Sequence, residues 1–518
     1  MLPRISLFYY QKKYLFLAFF SGFVIMATEL IATRITAPYI GVSIFTWTAI
    51  ISMILLGISV GNYFGGRLAD KGVSFAPFLI TGTMFIAAIP LFAQLTPFIT
   101  TLHIGLMSIA LLVAAFLFLG PAILLGTIYP FVLKQSIASQ GLEHVGERAG
   151  LLSGLAALGS IAGTFITGFF FIQFFGSSLS LHILALMLLL SSLWFENILS
   201  KTIIYGAIGM GMLIASYYVF PFLPRRAILF ETESAYYKIS VLDRPFHDQP
   251  SRILFMDFDS HSIEGLNGAR IGTYQDISPI FKVFRKDLHH ILTIGSGSYN
   301  ISKDLYDLYH ADITAIEIDP KVTETARMFF HLNAYPLHAV HADGRFFLNT
   351  TKDTYDLIFE DAFNSFISMP WYLATKEATE AAKAHLNPRG IYALSVISAR
   401  TGTDAKLFES IAKTFSLTFP NYYAISLGSN SNNPQNIILV GINASQRINE
   451  KDLTMALSDL TKQRNFVFQP TYEYQPSLPA NAIVLTDDYA PVERLNASLI
   501  KRYLPFYAKW FYSLFDMK

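Results

Sequence analysis

Charge distribution constrains this chain more than any other feature. Its first 222 residues hold fourteen Asp, Glu, Lys and Arg side chains, and the remaining 296 hold sixty-one. Between the sparse N-terminal charges lie apolar stretches near 14–33, 44–66, 76–96, 98–133, 150–175, 179–195 and 202–223. About twenty apolar residues cross a bilayer as a helix. Residues 1–224 therefore read as an all-α multi-helix membrane domain with seven or eight crossings. The stretch 98–133 is long for one span, and Gly120-Pro121 is the place to break it. Arg4, Lys12 and Lys13 ahead of the first stretch look like the start of a signal peptide, but Tyr14 to Ala32 is long enough to span, which makes it an uncleaved first helix.

With the N-terminus in the cytoplasm, Arg67, Lys71, Lys134, Arg148 and Lys201 share its side, and Arg34 falls on the other. Seven crossings leave the rest of the chain outside, and eight return it to the cytoplasm. A cytosolic nucleotide requires the even number, so the expected location is the cell (inner) membrane with a cytoplasmic C-terminal part. Gly154, Gly159, Gly163 and Gly168 let helices approach closely. Glu29 and Arg34 flank one end of the first helix, where both a ligand role and snorkelling to the interface stay open. Gly65-Gly66-Arg67-Leu-Ala-Asp70-Lys71 looks like the loop between helices two and three of major-facilitator transporters.

The absence of cysteine excludes disulfides, thiolate metal sites and a cysteine nucleophile. A net charge of +1 leaves no nucleic-acid footprint. No metal site and no tightly bound cofactor are expected.

Beyond residue 224 the pattern changes to that of an ordinary α/β protein. Phe230 to Leu242 and Arg252 to Asp257 read as strands of a small antiparallel β-sheet, giving a subdomain over 225–284, and Tyr274-Gln-Asp276 opens a helix to about Arg285. Residues 285–518 read as a Rossmann-like domain. There Ile291 to Ile294 runs into Gly295-Ser-Gly297, and Ala315-Ile-Glu317 follows about twenty residues on. Strand, glycine turn, helix and strand ending in an acid form the first half of a nucleotide-binding unit. The glycines admit backbone close to the ligand, and the carboxylate accepts ribose hydroxyls. Asp343-Gly344 and Glu360-Asp361 end the next two strands. Ligands sit at the carboxyl ends of such strands, so one pocket is expected to collect Gly295, Glu317, Asp343 and Asp361. Further strands are expected at Ile391–Val396 and Ile437–Val440. The aromatic tail Tyr503 to Phe515 reads equally as a membrane-surface segment or a packed terminal helix.

On these residues the globular part resembles the spermidine synthases, the polyamine aminopropyltransferases, and in particular their membrane-fused members. Glu233-Ser-Ala-Tyr236 is similar to the family's Glu-Ser-x-Tyr-Gln, Tyr274-Gln-Asp276 to Tyr-His-Glu, Glu317-Ile-Asp319 to Glu-Ile-Asp, Asp343-Gly-Arg345 to Asp-Gly/Ala-Arg, and Asp361-Ala-Phe-Asn364 to Asp-Ser-Ser/Thr-Asp. The resemblance implies S-adenosylmethionine or its decarboxylated form as co-substrate, held by Gly295, Gly297, Ser298, Glu317, Asp343 and Gly344. It makes Asp361 the base and places Tyr236, Tyr237, His261, Tyr274, Asp276 and Asn364 around a small-molecule amine or other acceptor. A homodimer is also expected. The departures lie on the amine side: Ser298 replaces the glycine-loop acid, Asn364 the second aspartate, Tyr237 and His261 two glutamines. The same pocket admits methyl transfer or cleavage of S-adenosylmethionine, and a transporter or sensor with a regulatory nucleoside domain is the reading from another class.

Overall fold

The computed structural model describes residues 4–138 apart from 75 and 103, 145–195, 211, 228–362 apart from 258, 270 and 272, 369–463 apart from 429 and 446, and 470–514. The chain divides into two compact units, one built on residues 1–226 and one on residues 236–515.

In the helical unit, four described helices are long and apolar enough to cross a membrane: Lys12–Ile40, Ile44–Asp70, Leu106–Ala138 and Val145–Ser192, with a shorter apolar helix at Pro77–Ala93. The crossing expected near 202–223 lies outside the described residues. Gly120-Pro121 does not break its helix. A π turn at Ala115–Leu119 precedes it, and the wider turn relieves the clash between the proline ring and the carbonyl four residues back. Two expected crossings share the run Val145–Ser192, which leaves helical geometry at Gly176, where φ is +69°. A glycine carries that left-handed conformation without steric cost.

The glycine series divides in two. A Cβ on Gly159 would stand 1.8 Å from the Phe19 carbonyl oxygen, and one on Gly163 2.3 Å from that of Phe23, so helices Val145–Ile166 and Arg4–Ile40 meet backbone to backbone. Gly154 faces open space, and Gly168 meets only a Leu30 methyl at 3.3 Å. The transporter-like segment is helical as far as Asp70 rather than a loop. Lys134 donates to the Ala69 carbonyl at 2.6 Å and pairs with Asp70 at 3.4 Å, a cation placed where the helix dipole is negative.

The second unit opens with a four-stranded antiparallel sheet in the order β1 (Ile228–Glu233), β2 (Lys238–Phe246), β3 (Gln249–Met256), β4 (Asp259–Gly265). The single long strand expected over Phe230 to Leu242 is thus two strands, and β4 was not anticipated. The helix expected from Tyr274 is instead two short 3-10 turns and the single turn Phe281–Phe284. A Thr273–Asp276 capping box closes the first turn and Pro279 starts the second, so no continuous helical hydrogen-bond ladder forms.

An eight-stranded sheet follows, ordered β12-β10-β11-β9-β8-β5-β6-β7. Its parallel strands are β5 (His290–Ile294), β6 (Asp312–Ile316), β7 (His338–Val340), β8 (Tyr355–Glu360) and β9 (Leu386–Ser398). The antiparallel remainder is β10 (Tyr422–Ser426), β11 (Gln435–Ile442) and β12 (Thr471–Tyr474). Both faces are covered: Ile291, Leu357 and Ile391 enter one apolar core, Leu292, Ile358 and Leu394 the other. The apolar run Leu357–Phe359 of β8 and the largely apolar Ile291–Ile294 of β5 follow from that double burial. Helices α1 (Asn300–Tyr309), α2 (Pro320–Phe329) and α3 (Gly344–Thr350) each open just beyond a strand end. The last helix, α4 (Val492–Leu514), buries Leu499, Ile500 and Leu504. The aromatic tail is thus helical through Leu514, packed on its Leu504 side and exposed at Phe506.

Because Gly159 has no room for a methyl group, Gly159→Ala is expected to destabilise the helical unit by about 1–3 kcal/mol. Gly154→Ala, facing open space, should leave stability unchanged. Thermal unfolding of the detergent-solubilised variants checks both.

Candidate functional site

The chain order turns outward on either side of β5, where β8 lies on one edge and β6 on the other. A crevice opens there at the strands' carboxyl ends. Gly295 leaves β5 with φ +82°, and a Cβ on it would lie 2.4 Å from the Asp361 carbonyl oxygen. The glycine thus serves two needs at once, a left-handed turn and close approach to the end of β8. Asp361 N–H donates to the Ile294 carbonyl at 2.8 Å and Glu317 N–H to that of Val340 at 3.0 Å, which fixes both acids at the rim.

A cavity of about 300 Å³ occupies the crevice. Gly295, Gly297, Glu317, Asp343, Gly344 and Asp361 line its floor, and Tyr236 and Tyr237 close it from the small sheet. Eight of the residues expected around the site are therefore together. The Glu317 carboxylate holds the glycine loop: one oxygen accepts from the N–H of Ser296 at 3.1 Å and of Gly297 at 3.2 Å, the other from the N–H of Asp319 at 3.1 Å. Burial pushes its carboxyl up to about 7 despite those bonds. Asp343 caps α3 through Phe346 N–H at 2.9 Å and accepts from the Tyr372 hydroxyl at 2.9 Å.

Asp361 accepts from the Tyr274 hydroxyl at 3.0 Å. Burial pushes its carboxyl up to about 6, with the tyrosine bond acting in the opposite direction. Its neighbour Glu360 is fully buried, bonded to the Tyr392 hydroxyl at 2.9 Å, and pushed up by burial to about 8. Glu360 is not among the residues that line this cavity.

Two expected site residues lie elsewhere. Asp276 is buried in the capping box, accepting from Thr273 N–H at 3.1 Å, because its place in the turn directs its carboxylate to its own backbone. Ser298 is fully buried below the loop, its N–H donated to the Ser262 hydroxyl at 3.0 Å. Asn364 lies outside the described residues. His261 and Tyr274 line a second cavity of about 530 Å³.

Gln275 and Tyr372 were not singled out from sequence. The Gln275 amide donates to the His261 carbonyl at 2.9 Å and the Ser262 hydroxyl at 3.2 Å, and its oxygen accepts from Asn300 at 3.1 Å. It joins the small sheet to α1, and its partner Ser262 in turn holds the glycine loop. The signal available for it was its place inside the Tyr274-Gln-Asp276 motif. Tyr372 had no signal, since its partner Asp343 stands 29 residues away.

Strand order 3-2-1-4-5 with antiparallel strands at the far edge defines an α/β domain of the methyltransferase and spermidine-synthase type. Residues 273–451 match the family model described as the spermine/spermidine synthase domain, and the chain carries such a domain there. Among solved structures, a probable spermidine synthase from Corynebacterium glutamicum is 17% identical, with 51% of this chain and 97% of that one covered and a TM-score of 0.43. Spermidine synthase from Thermotoga maritima is 16% identical over 47% and 89%, with a TM-score of 0.36. Human methyltransferase-like protein 13, solved in complex with SAH, is 18% identical over 42% and 96%, with a TM-score of 0.29. No curated protein matches the chain.

A carboxyl raised in the folded state favours folding in its protonated form. Stability is therefore lost as pH climbs from the ordinary carboxylate range through about 8 for Glu360. Glu360→Gln removes that ionisation. It is expected to raise the melting temperature at about pH 9 and to leave it unchanged near pH 5.

Proposed function

We propose that this chain is a membrane-anchored transferase of the spermidine-synthase kind. It moves the aminopropyl group of decarboxylated S-adenosylmethionine onto an amine. The observation that carries the reading is Asp361: it stands at the rim of a glycine-lined crevice inside a spermine/spermidine synthase domain, with its carboxyl near 6. A base with that value is ionised at neutral pH and close enough to it to accept a proton.

Glu317 would accept a ribose hydroxyl on the oxygen that holds only the Asp319 N–H, which keeps a lone pair after that bond. Gly295 and Gly297 admit the chain beyond the sulfur. The acceptor nitrogen attacks the carbon bonded to the sulfonium, the C–S pair leaves on sulfur as methylthioadenosine, and the nitrogen's proton passes to Asp361. Tyr274 holds that carboxylate in place through its hydroxyl. A cytosolic supply of the nucleoside places the α/β unit on the cytoplasmic face.

A second reading keeps the crevice and changes the chemistry. Ser298 stands where the family has a glycine-loop acid, and it is buried, so nothing there selects the aminopropyl amine over a methionine carboxylate. That favours methyl transfer from, or cleavage of, intact S-adenosylmethionine.

Incubation with each sulfonium and a panel of amines separates these. Methylthioadenosine with an aminopropylated amine supports the first reading. S-adenosylhomocysteine marks methyl transfer, and methylthioadenosine without a new amine marks cleavage; either removes aminopropyl transfer. The rate should rise with pH through about 6 as Asp361 ionises. Asp361→Asn should lower kcat by about 10²–10⁴ and abolish that limb. Glu317→Ala should weaken methylthioadenosine binding about tenfold or more, read by calorimetry, through loss of hydrogen bonds to a charged acceptor.

A further inference from the structure

The terminal helix α4 is two-sided, and its outer side is unlike an ordinary solvated face. Ile500, Leu504 and Ala508, spaced by four, are buried and seat the helix. Arg502, Phe506, Lys509, Trp510 and Ser513 recur at spacings of three and four on the opposite side, and all five are exposed. Phe506 is 62% exposed and Trp510 37%. Packing of the helix against its own unit does not account for two large rings there. Both rings also edge the 530 Å³ cavity.

The charge on this helix is one-signed. From Arg494 to Leu514 the sequence holds four cations, Arg494, Lys501, Arg502 and Lys509, and no acid, in a chain whose net charge is +1. Asp404 pairs with Arg502 at 3.0 Å and Asp259 accepts from the Tyr507 hydroxyl, but both acids are buried, so neither puts negative charge on the outer side. Rings beside lysine and arginine on one side of a helix suit the headgroup layer of a bilayer. The rings enter the interface, and the long cationic chains reach the phosphates. A second copy of the chain suits the face less well, because a two-fold contact would set Arg502 and Lys509 against their own like charges.

We propose that this side of α4 docks on an anionic phospholipid surface, with Phe506 and Trp510 in the headgroup layer and Lys509 and Arg502 on the phosphates. The inference rests on the membrane-anchored reading above, which keeps a bilayer within reach, and it is independent of the reaction in the crevice.

The chain has no cysteine, so Ser513→Cys places a single nitroxide on this side of the full-length protein and leaves both rings in place. Met455→Cys carries the same label on the exposed side of the helix Glu450–Gln463. Each protein is reconstituted into nanodiscs of phosphatidylcholine, alone or mixed with phosphatidylglycerol. Relaxation of the label by oxygen is compared with relaxation by a water-soluble nickel chelate. In the mixed nanodiscs oxygen is expected to dominate at position 513 and the chelate at position 455. Lys509→Glu reverses a charge at the headgroups and should move the label at 513 toward water by about tenfold or more. Phe506→Ser should also move it toward water, by removing apolar contact. Both side chains are exposed, so the fold tolerates the changes. Dominance of the chelate at 513 in mixed nanodiscs, shielding from both reagents as a second copy would give, lipid contact at 455 as well, or lipid contact that survives both substitutions overturns the inference. Failure of the protein to enter nanodiscs instead removes the membrane-anchored reading.

Discussion

The approach of β5 to the end of β8 at Gly295 sets the geometry of everything near it. No side chain fits between that residue and the Asp361 carbonyl, so the loop must turn left-handed. That turn directs the N–H groups of Ser296 and Gly297 onto Glu317. It also brings Gly297 under β4, where a Cβ would stand 2.8 Å from the Ser262 hydroxyl. One backbone constraint therefore fixes Glu317, Asp361 and β4 relative to one another. A residue with a Cβ at 295 would have to part β5 from β8, and with them the two cores that the sheet divides.

Three acids crowd the strand ends, and burial raises all three: Asp361 to about 6, Glu317 to about 7, Glu360 to about 8. The crevice is costly to ionise when it holds no cation. A cation entering it would lower those values, since an opposite charge nearby favours the ionised form. Glu360 is held apart by Tyr392 and serves the sheet rather than the crevice.

What could be read from sequence follows from how local each signal is. Glycine turns and strand-terminal acids carry their meaning within a few residues, so the crevice of Gly295, Glu317, Asp343 and Asp361 was legible. So was the apolar character of the first part. The outcome at Gly120-Pro121 was not, because a π turn five residues earlier absorbs the proline and leaves no compositional trace. Asp276 was misplaced for a related reason: an acid three residues after a threonine serves a turn as readily as a ligand, and here the turn took it. β4, Gln275 and Tyr372 act through partners distant in the chain, which no window of sequence displays. The helix ends show the same limit, since Lys134 holds Asp70 from 64 residues away.

The terminal helix α4 lies outside residues 273–451 and lays Tyr503, Phe506, Tyr507 and Trp510 along a cavity that β4 and Tyr274 also line. Tyr507 shows the coupling most directly. Its hydroxyl bonds Asp259 and accepts from Ser260 N–H at 3.1 Å, so the terminal helix is fastened to β4 by the same group that places the cavity's single carboxylate. β4 in turn supplies Ser262 to the glycine loop. The terminal helix is therefore tied, through one strand, to the glycine loop that lines the crevice.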